Sequence, residues 1–428
     1  MKRAIVAISI ICFAFLINSC DTNEPPVEKA ELLLKLEDVS CTEAWMTLTT
    51  ANFQLPTSVT IKQNNQTLST INLVKADTLL YIDSLTPNQT YRYQVSSIEH
   101  QVTSNEKSVT TMDTTSHDFT FETFTFGGNA GSCTLYDVAI IDENYIIAVG
   151  SIFLTDSLGQ PDPQPYGAAI WDGQSWELKK LFYNTNIPVT PRGIFVISPT
   201  EIYLASGSIF KWDGSSSTVQ MVFSRLSLPD PNATIEKLWG SSGSSIYGVG
   251  NVGSIAHYNG QNWQRIESGT STNINDVWGL VDKDGNEKIY CAVSFVYQPG
   301  DQKILTIKNN NVDSLGWNTG RRVHSVWTNS KNYVYAVGGG IFENKKGYWN
   351  EITQVPLYYS RNIRGEGTNN IFVCGDFGLF AHFNGSTWKT YNELYIQGIY
   401  FAVAVKSNIV ITVGLEGDKA IIVRGRRN

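Results

Sequence analysis

A repeated pattern constrains the fold of this chain more than any other feature of its sequence. Each full copy has a strand-like run that ends in glycine and, further on, Asn-Gly or Asp-Gly followed by an aromatic run. The clearest copies contain 246–250 with 259–263, and 371–375 with 384–388. A short unit of this kind cannot bury its apolar face alone and must stack against its neighbours, so the copies fold together as one array.

Partial copies bring the number of repeats to seven, with further second strands at 146–150, 202–205, 289–293, 334–338 and 409–414. Residues 116–428 divided among seven copies give about 45 residues each, the length of a four-stranded propeller blade. The last copy lacks a fourth strand, while a spare strand, 119–126, precedes the first copy. We therefore predict a seven-bladed β-propeller over residues 116–428 that strand 119–126 closes. A β-sandwich or solenoid array is the alternative, but it leaves the spare strand unexplained.

The repeats resemble bacterial propellers of the Asp-box and photosystem-assembly-factor-like kind, in which a glycine-ended strand and an Asn/Asp-Gly-x-x-Trp turn recur. In an Asp box one residue separates the acid from the glycine, whereas the pairs here are adjacent. The catalytic residues of Asp-box sialidases therefore do not carry over. We predict that the adjacent pairs form type I′ hairpin turns, at Asp172-Gly173, Asp213-Gly214, Asn259-Gly260 and Asn384-Gly385.

The amino terminus predicts export. Lys2 and Arg3 precede an apolar run, Ala4–Ile17, that is too short for a stable spanning helix. The run continues into Leu16-Ile17-Asn18-Ser19-Cys20, which resembles the bacterial lipobox. The resemblance implies a signal peptide at 1–19, lipid on Cys20, and a tether at 20–27. It implies that the protein lies in the bacterial cell envelope, lipid-anchored to a membrane. We expect the outer membrane, with the protein on its periplasmic side or exposed at the surface. The alternative is an ordinary secretory signal with a chance cysteine.

Residues 28–113 alternate between apolar and polar positions without a helical period, which favours a β-sandwich. We expect Trp45 and Leu48 to lie near the centre of its two-sheet core. The segment Leu80–Val95 resembles the fibronectin type III pattern of a leucine, a proline-led turn and a tyrosine. The resemblance implies that residues 28–113 form a fibronectin type III-like spacer with Tyr91 as its tyrosine corner. The predicted fold class is all-β throughout.

Charge and cysteine spacing exclude several classes of protein. The chain has 32 Lys and Arg against 39 Asp and Glu, a net charge of −7, so we expect no nucleic-acid partner. His257 and His382 occupy the same place in two repeats, which favours packing over metal ligation. We therefore predict no metal site and no cofactor. The remaining cysteines are widely spaced and are expected to be buried free thiols, namely Cys41, Cys133, Cys291 and Cys374.

The candidate binding site is the mouth of the propeller channel, where residues that enter the inner strands converge. Each copy supplies one polar or amphipathic residue at this position, although the first and last copies are aligned only through their second strands. Arg322 and Arg364 lie nearby in sequence and would add charge. Such a ring can bind an acidic or hydroxyl-rich ligand through guanidinium contacts and aromatic stacking. Alternatively, its members pair with one another and with water. The predicted ring is Tyr136, Arg192, Glu236, Asn275, His324, Arg361 and Tyr400.

Two classes of function remain. The favoured one is a binding module, in which the spacer holds the propeller away from the membrane to bind a glycan or an envelope protein. The alternative is a glycosidase or lyase acting on an acidic glycan through Arg192, Arg361 and Glu236. An enzyme of this kind needs a second carboxyl group, for which Glu366 and Asp376 are candidates. A third possibility, an assembly scaffold, predicts a hydrophobic patch elsewhere on the propeller rim.

Overall fold

A computed structural model describes residues 29–296, 298, 300–345 and 347–428. The predicted signal peptide, the lipidation site Cys20 and the tether lie outside these described residues. Strands dominate the described chain, and no helix in it is long and apolar enough to cross a membrane. Its helices are short 3-10 turns at Arg225–Ser227, Asn251–Gly253 and Asn392–Leu394. The predicted all-β fold class is confirmed.

The first eight strands form two sheets, with the orders given below. Buried and exposed residues alternate along most of these strands, as expected where one face of a sheet is covered. The strands are β1 (Glu31–Val39), β2 (Ala44–Ala51), β3 (Thr57–Gln63), β4 (Gln66–Leu73), β5 (Asp77–Ile82), β6 (Thr90–Ser97), β7 (Val102–Thr103) and β8 (Lys107–Thr110). One sheet has the order β1-β2-β5 and the other the order β4-β3-β6-β7, in which β8 also pairs with β6.

Two predictions for this region concern the common core of Trp45 and Leu48 and the tyrosine corner at Tyr91. Trp45 and Leu48 lie on opposite faces of β2, because side chains alternate along a strand, so placing both in one core was wrong. The buried Trp45 ring instead contacts the rings of Tyr81 and Tyr333, at 5.4 and 5.9 Å. The hydrogen bond expected of a tyrosine corner is present, since the hydroxyl of Tyr91 accepts the backbone N–H of Thr86 at 2.9 Å.

The chain divides into two compact units. Of the described residues, the smaller unit comprises 29–34 together with Leu48–Thr78 and Tyr93–Glu106, and the larger comprises Lys35–Thr47, Leu79–Arg92 and Lys107–Asn428. The candidate site described below lies wholly within the larger unit.

Seven sheets of at least four strands follow along the described residues, and we call them blades 1 to 7. The first strand of each blade is innermost. It contacts the first strand of the next blade, and that of blade 7 contacts that of blade 1, which closes the ring. This arrangement is the predicted β-propeller.

The propeller begins with β9 (Phe119–Gly127). Blade 1 contains β10 (Thr134–Asp142), β11 (Tyr145–Ile152), β12 (Tyr166–Trp171) and β13 (Trp176–Lys179). Blade 2 contains the two short outer strands β14 (Phe182–Tyr183) and β15 (Ile187–Pro188), then β16 (Gly193–Ser198), β17 (Glu201–Ser206), β18 (Ser208–Trp212) and β19 (Thr218–Phe223). Blade 3 contains β20 (Lys237–Ser242), β21 (Ser245–Val249), β22 (Ile255–Tyr258) and β23 (Trp263–Arg265).

The second half repeats this plan. Blade 4 contains β24 (Ile274–Val281), β25 (Glu287–Val293), β26 (Lys303–Lys308) and β27 (Asn311–Leu315), and blade 5 contains β28 (Val323–Trp327), β29 (Val334–Gly338), β30 (Gly340–Asn344) and β31 (Trp349–Ile352). Blade 6 contains β32 (Ser360–Gly367), β33 (Asn370–Gly375), β34 (Phe380–Phe383) and β35 (Trp388–Thr390), and blade 7 contains β36 (Gly398–Lys406), β37 (Ile409–Glu416), β38 (Lys419–Arg427) and β9.

The spare strand occupies the place expected for it. β9 pairs antiparallel with β38, from Gly127 opposite Lys419 to Phe119 opposite Arg427. The last blade thereby obtains its outer strand from the start of the propeller, so the first and last blades are held together by backbone hydrogen bonds.

The core lies between neighbouring blades, because each blade buries both faces. Between blades 1 and 2, for example, Ile147 and Val149 pack with Ile202 and Leu204, and all four are fully buried. Burial on both faces explains why the second strands are continuous apolar runs instead of alternating ones.

The Asn-Gly and Asp-Gly pairs do not form the type I′ turns that we predicted. Trp171 pairs with Trp176, so the loop between them has four residues instead of two. Only Gly173 has a positive φ, and Oδ1 of Asp172 accepts the backbone N–H groups of Gln174 and Ser175 at 2.8 and 2.7 Å. The carboxylate therefore organises an Asx turn, and Asn259 and Asn384 accept the same pair of N–H groups in their loops.

Candidate functional site

β-bulges at the start of the inner strands create the ring at the channel mouth. In blade 1 the pairing with the second strand skips one residue between Leu135 and Asp137, which leaves Tyr136 unpaired across the sheet. The same slip occurs in blades 4, 5, 6 and 7. A bulge redirects the side chain of the extra residue, and in these blades it lines the mouth. The bulged residues are Tyr136, Asn275, His324, Arg361 and Phe401.

The structure brings six of the seven predicted ring residues together around one cavity of about 180 Å³. These six are Tyr136, Arg192, Glu236, Asn275, His324 and Arg361. The rest of the cavity wall is formed by Lys237, Asn251, Ile274 and Phe401.

Tyr400, the seventh predicted residue, does not line this cavity. It is 1% exposed, its hydroxyl donates to the backbone oxygen of Leu394 at 3.0 Å, and its neighbour Phe401 takes the ring position. The prediction aligned blade 7 through its glycine-ended strand, in which Gly414 pairs with Tyr400, as Gly150 pairs with Leu135 in blade 1. In both blades the bulged residue that follows takes the ring position, so the equivalent of Tyr136 is Phe401, and the prediction was one residue too early.

The two ring arginines differ in how they are held. Nε of Arg361 donates to Oδ1 of Asp376 at 2.7 Å, and Nη2 donates to Oδ2 at 3.3 Å. Its guanidinium also lies 4.8 Å from the centre of the Tyr359 ring, and the side chain is only 7% exposed. Because this bidentate pair occupies it, Arg361 stabilises the wall of the cavity and does not present an open guanidinium to the mouth.

Arg192 is the exposed guanidinium of the ring, with 56% of its side chain accessible. It lies 4.9 Å from the centre of the Tyr136 ring. Its Nε is 3.6 Å from Oε2 of Glu236, which is close enough for an ion pair but too long for a hydrogen bond. That buried Oε2 atom accepts no hydrogen bond from the described residues. The fork of N–H donors on Arg192 is therefore available to an anionic group.

His324 lines the same cavity as a neutral imidazole. Burial lowers its pKa to about 3, and the positive charges of Arg361 and Lys237 act in the same direction while Asp276 opposes them. Its Nδ1 is 3.5 Å from the hydroxyl of Tyr359. At neutral pH the ring therefore offers one N–H donor, and the cations around it favour an anion over a cation at this end of the channel.

A second layer of charges lies below the mouth. Both Nη atoms of Arg364 donate to the carboxylate of Asp276, at 2.9 and 2.7 Å, and Lys237 forms an ion pair with Asp137 at 3.0 Å. Burial opposes ionisation of Asp276, but the adjacent Arg364 outweighs it and lowers the pKa of that carboxyl. The expectation that Arg364 adds charge to the mouth was therefore wrong, because Asp276 neutralises it, and Arg322 is not among the residues that line the cavity.

The carboxyl groups do not form a glycosidase pair in this cavity. Glu366 accepts the backbone N–H of Ser407, in the turn between β36 and β37, at the end of the inner strands opposite to the mouth. Asp376 is held by Arg361. Among the described residues that line the cavity, Glu236 is the one carboxylate, whereas glycosidic cleavage by the usual mechanisms needs two.

The two repeat histidines are packing residues. The His257 ring stacks on Tyr247 with centroids 4.1 Å apart, and the His382 ring stacks on Phe372 at 4.4 Å. Nδ1 of His382 is 2.9 Å from Nδ1 of His117. No cluster of three or more His, Cys, Asp or Glu side chains suited to a metal ion occurs in the described part of the chain. The four cysteines within it are buried and form no disulfide, as predicted.

Comparison with known proteins supports the fold. No protein-family model matches the chain, and no curated protein sequence matches it. The solved structure of YCF48 bound to D1 peptide is 14% identical, covers 72% of this chain and 97% of its own, and superposes with a TM-score of 0.53. The extracellular domain of the putative hybrid two component system BT3049 from B. thetaiotaomicron is 11% identical over 90% of this chain and 56% of its own, with a TM-score of 0.28 that is too low to indicate a shared arrangement. At such identities the similarity to YCF48 concerns the propeller fold alone.

Proposed function

We propose that this protein is a binding module that receives a carboxylate of a partner protein at the mouth of its propeller. The observation that carries the proposal is the state of Arg192. This guanidinium is exposed, lies over the Tyr136 ring, and forms only a long ion pair with Glu236. Arginine recognises carboxylates by two parallel N–H donors, and the neutral His324 can add a third.

The size of the cavity favours a protein segment over a glycan. Sites for small molecules usually enclose about 300 to 1,000 Å³, whereas the mouth cavity has about 180 Å³. That volume suits one side chain or a chain terminus inserted as an anchor, with the rest of the partner lying on the surrounding surface. YCF48, which shares the fold, has been solved with a peptide bound, and this supports a peptide ligand here.

Anchoring in the cell envelope through lipid on Cys20, with residues 28–113 as a spacer, belongs to the same proposal and rests on the amino-terminal sequence. A Cys20→Ser variant should move from the membrane fraction to the soluble fraction and lose incorporation of labelled palmitate. Retention of both the label and the membrane association in this variant would contradict the anchor.

The binding proposal is tested by selecting random phage-displayed peptides on the full chain, purified in mild detergent, beside an array of acidic glycans. We expect peptides with Asp, Glu or a free carboxyl terminus to be enriched, and Arg192→Gln to weaken their binding at least tenfold. Arg265, which forms an ion pair with Glu267 at the outer strand of blade 3, supplies the control Arg265→Gln, which should bind normally. Enrichment of glycans alone, or equal binding by Arg192→Gln, would refute the proposal.

A further inference from the structure

Four apolar side chains are exposed beside the mouth on blades 5 to 7. They are Leu357, Tyr358, Phe377 and Tyr395, between 40% and 62% exposed, and we call them the aromatic shelf. Inner strands begin at the mouth, so second strands end there. The turns between second and third strands, and the loops that lead to the next blade, therefore lie at that end as well. Phe377 occupies such a turn, and the other three residues occupy such loops.

The aromatic shelf is continuous with the ring at the mouth. The rings of Tyr358 and Phe377 lie 5.4 Å apart, and the backbone N–H of Phe377 donates to the oxygen of Gly398 at 2.8 Å. The adjacent Gly378 packs so closely on the loop that carries Tyr395 that a Cβ there would lie 2.5 Å from the Ile396 nitrogen. Asp376, which precedes Phe377, holds Arg361 in the cavity wall.

Phe377 has a conformation that a bulky side chain adopts rarely. Its φ is +59°, and Gly378 follows with +71°, which is the type I′ pattern that normally selects Asn or Gly at both positions. The phenyl ring of Phe377 gains little burial from this arrangement, because 52% of the residue remains exposed. Within the described chain its ring contact is with Tyr358. An exposed aromatic ring in a strained turn gains most when a partner covers it.

An acidic groove extends the aromatic shelf on the far side of Tyr395. It encloses about 770 Å³ and is lined by Glu416 and Asp418, with Lys419 as the one cation among its described lining residues. Glu393 is exposed on the 3-10 turn that leads to Tyr395. Two acids against one cation in the groove wall, with Glu393 on the neighbouring turn, make this groove complementary to Lys or Arg.

We infer that the aromatic shelf and the acidic groove bind one extended segment of a partner protein, which carries an aromatic or aliphatic side chain followed by Lys or Arg. The inference rests on the proposed function, because the same segment places its carboxylate at Arg192. The apolar side chain packs on Tyr358 and Phe377, and the basic side chain enters the groove beside Tyr395.

The same peptide selection tests this combination of side chains, with different variants of the full chain. We expect the enriched peptides to combine an acid, an aromatic or aliphatic residue and a basic residue. Phe377→Asn and Tyr395→Ala should each weaken their binding at least tenfold, and the Glu416→Gln/Asp418→Asn variant should weaken only peptides that contain Lys or Arg. Asn suits the turn, so Phe377→Asn should remain folded. The control is Tyr348→Ala, since Tyr348 is 51% exposed in the turn between the third and fourth strands of blade 5, at the opposite end of the channel.

The outcomes separate this inference from the proposed function. Peptides that depend on Arg192 but bind Phe377→Asn and Tyr395→Ala normally would refute the aromatic shelf and leave the mouth proposal standing. Failure to enrich any peptide would refute both. A concentration-dependent dimer that Phe377→Asn abolishes, measured by sedimentation, would show that a second copy of the chain covers the shelf. Binding to anionic phospholipid vesicles that Phe377→Asn abolishes would show that a membrane covers it. Either result would overturn a partner segment as the occupant.

Discussion

Blades 3 and 6 make the same turn between their second and third strands but use it differently. In Asn251–Ser254 and Asp376–Leu379 the backbone N–H of the fourth residue donates to the oxygen of the first, at 3.2 Å in both turns. Val252 and Phe377 both have a positive φ, and a glycine with positive φ follows each. An apolar residue other than glycine is unfavourable at such a position, and most of all a β-branched one.

The difference between the two turns is what covers the strained residue. Val252 packs against the buried cluster of blades 2 and 3, so burial within the chain offsets the strain. Phe377 remains half exposed and lies beside Tyr358. The same backbone geometry thus contributes to the core in blade 3 and presents a ring to the surface in blade 6.

The first residue of each turn continues this contrast. In blade 6, Asp376 binds the ring residue Arg361 by two hydrogen bonds. In blade 3 the corresponding residue, Asn251, lines the cavity beside Glu236, whose Oε2 accepts no hydrogen bond from the described residues. In blade 6 the turn residue therefore holds the mouth residue Arg361 by hydrogen bonds. In blade 3 the turn residue leaves the pair of Glu236 and Arg192 available to a ligand.

The largest expected effect comes from the glycine of each turn. A Cβ at Gly253 would lie 1.9 Å from the Thr270 oxygen, and one at Gly378 2.5 Å from the Ile396 nitrogen, both at positive φ. We expect Gly253→Ala and Gly378→Ala each to lower the free energy of unfolding, measured in urea, by at least about 3 kcal/mol. Gly285→Ala is the matched control, because Gly285 has φ +82° but open space around its Cα, and it should cost about 1 kcal/mol. Equal losses at Gly285 and Gly378 would contradict the close packing of the blade 6 turn.

Substitution of the first residue of each turn should give the next largest difference in the free energy of unfolding between blade 6 and blade 3. Asp376→Asn leaves the buried Arg361 without its carboxylate, so we expect the free energy of unfolding to fall by about 2 to 3 kcal/mol. Asn251→Ala removes a side chain that does not hold Glu236 in place, so the free energy of unfolding should change by less than about 0.5 kcal/mol. Urea denaturation of both variants measures the difference. A comparable loss in the two would show that Asn251 stabilises blade 3 in the way that Asp376 stabilises blade 6.

Acidification should destabilise blade 6 through His382. Burial is the main cause that lowers the pKa of this histidine to about 2, with the nearby His117, Arg427 and Lys389 adding to it. In the unfolded chain this histidine binds a proton near the ordinary pKa of about 6.5, whereas in the folded chain it stays neutral. The free energy of unfolding therefore falls as the pH falls below about 6.5. Between about pH 7.5 and pH 5 we expect this group to cost about 2 kcal/mol.

Urea midpoints at the two pH values, for wild type, His382→Gln and His257→Gln, measure this effect. His382→Gln should remove about 2 kcal/mol of the pH dependence in this range and leave the contributions of the other histidines with lowered pKa, above all His324. The pKa of His257 in blade 3 is also lowered, mainly by burial, but its residue is 8% exposed whereas His382 is fully buried. His257→Gln should therefore remove less. An unchanged pH dependence in His382→Gln would argue against a neutral, buried His382.

The smallest effects have opposite signs in the two blades. Phe377→Asn relieves a strained conformation and loses little burial, so it should raise the free energy of unfolding by about 0.5 to 1 kcal/mol. Val252→Asn relieves the same strain but removes an apolar side chain from the core, and should lower the free energy by about 1 kcal/mol. Thermal denaturation of the two variants checks the signs. A loss of stability in Phe377→Asn would mean that the chain itself already covers this ring.

The propeller could be predicted because its strongest signal has a local physical cause. The glycines that end the second strands lie opposite the bulges of the inner strands. A Cβ at Gly150 would lie 2.1 Å from the Thr134 oxygen, and one at Gly375 2.3 Å from the Tyr359 oxygen. A larger residue at these two glycines would push the strands apart, so glycine recurs in most blades and is visible as a period, although blade 4 has Val293 opposite its bulge. Five of the six ring residues that line the cavity could be aligned because each lies three residues before the inner-strand position of Trp239, and Tyr136 was aligned through its glycine-ended strand.

The remaining features depend on contacts between residues that lie far apart in the chain. The bulge that replaces Tyr400 by Phe401 exists only in the pairing of two strands. The pairing of Asp276 with Arg364 joins blades 4 and 6, and no sequence pattern says which charges will meet. Periodicity and glycine spacing therefore specify the blades, since each blade obeys short-range rules of chain geometry. Burial decides which arginine stays open and which aromatic ring stays exposed, because it depends on how the blades pack around the channel.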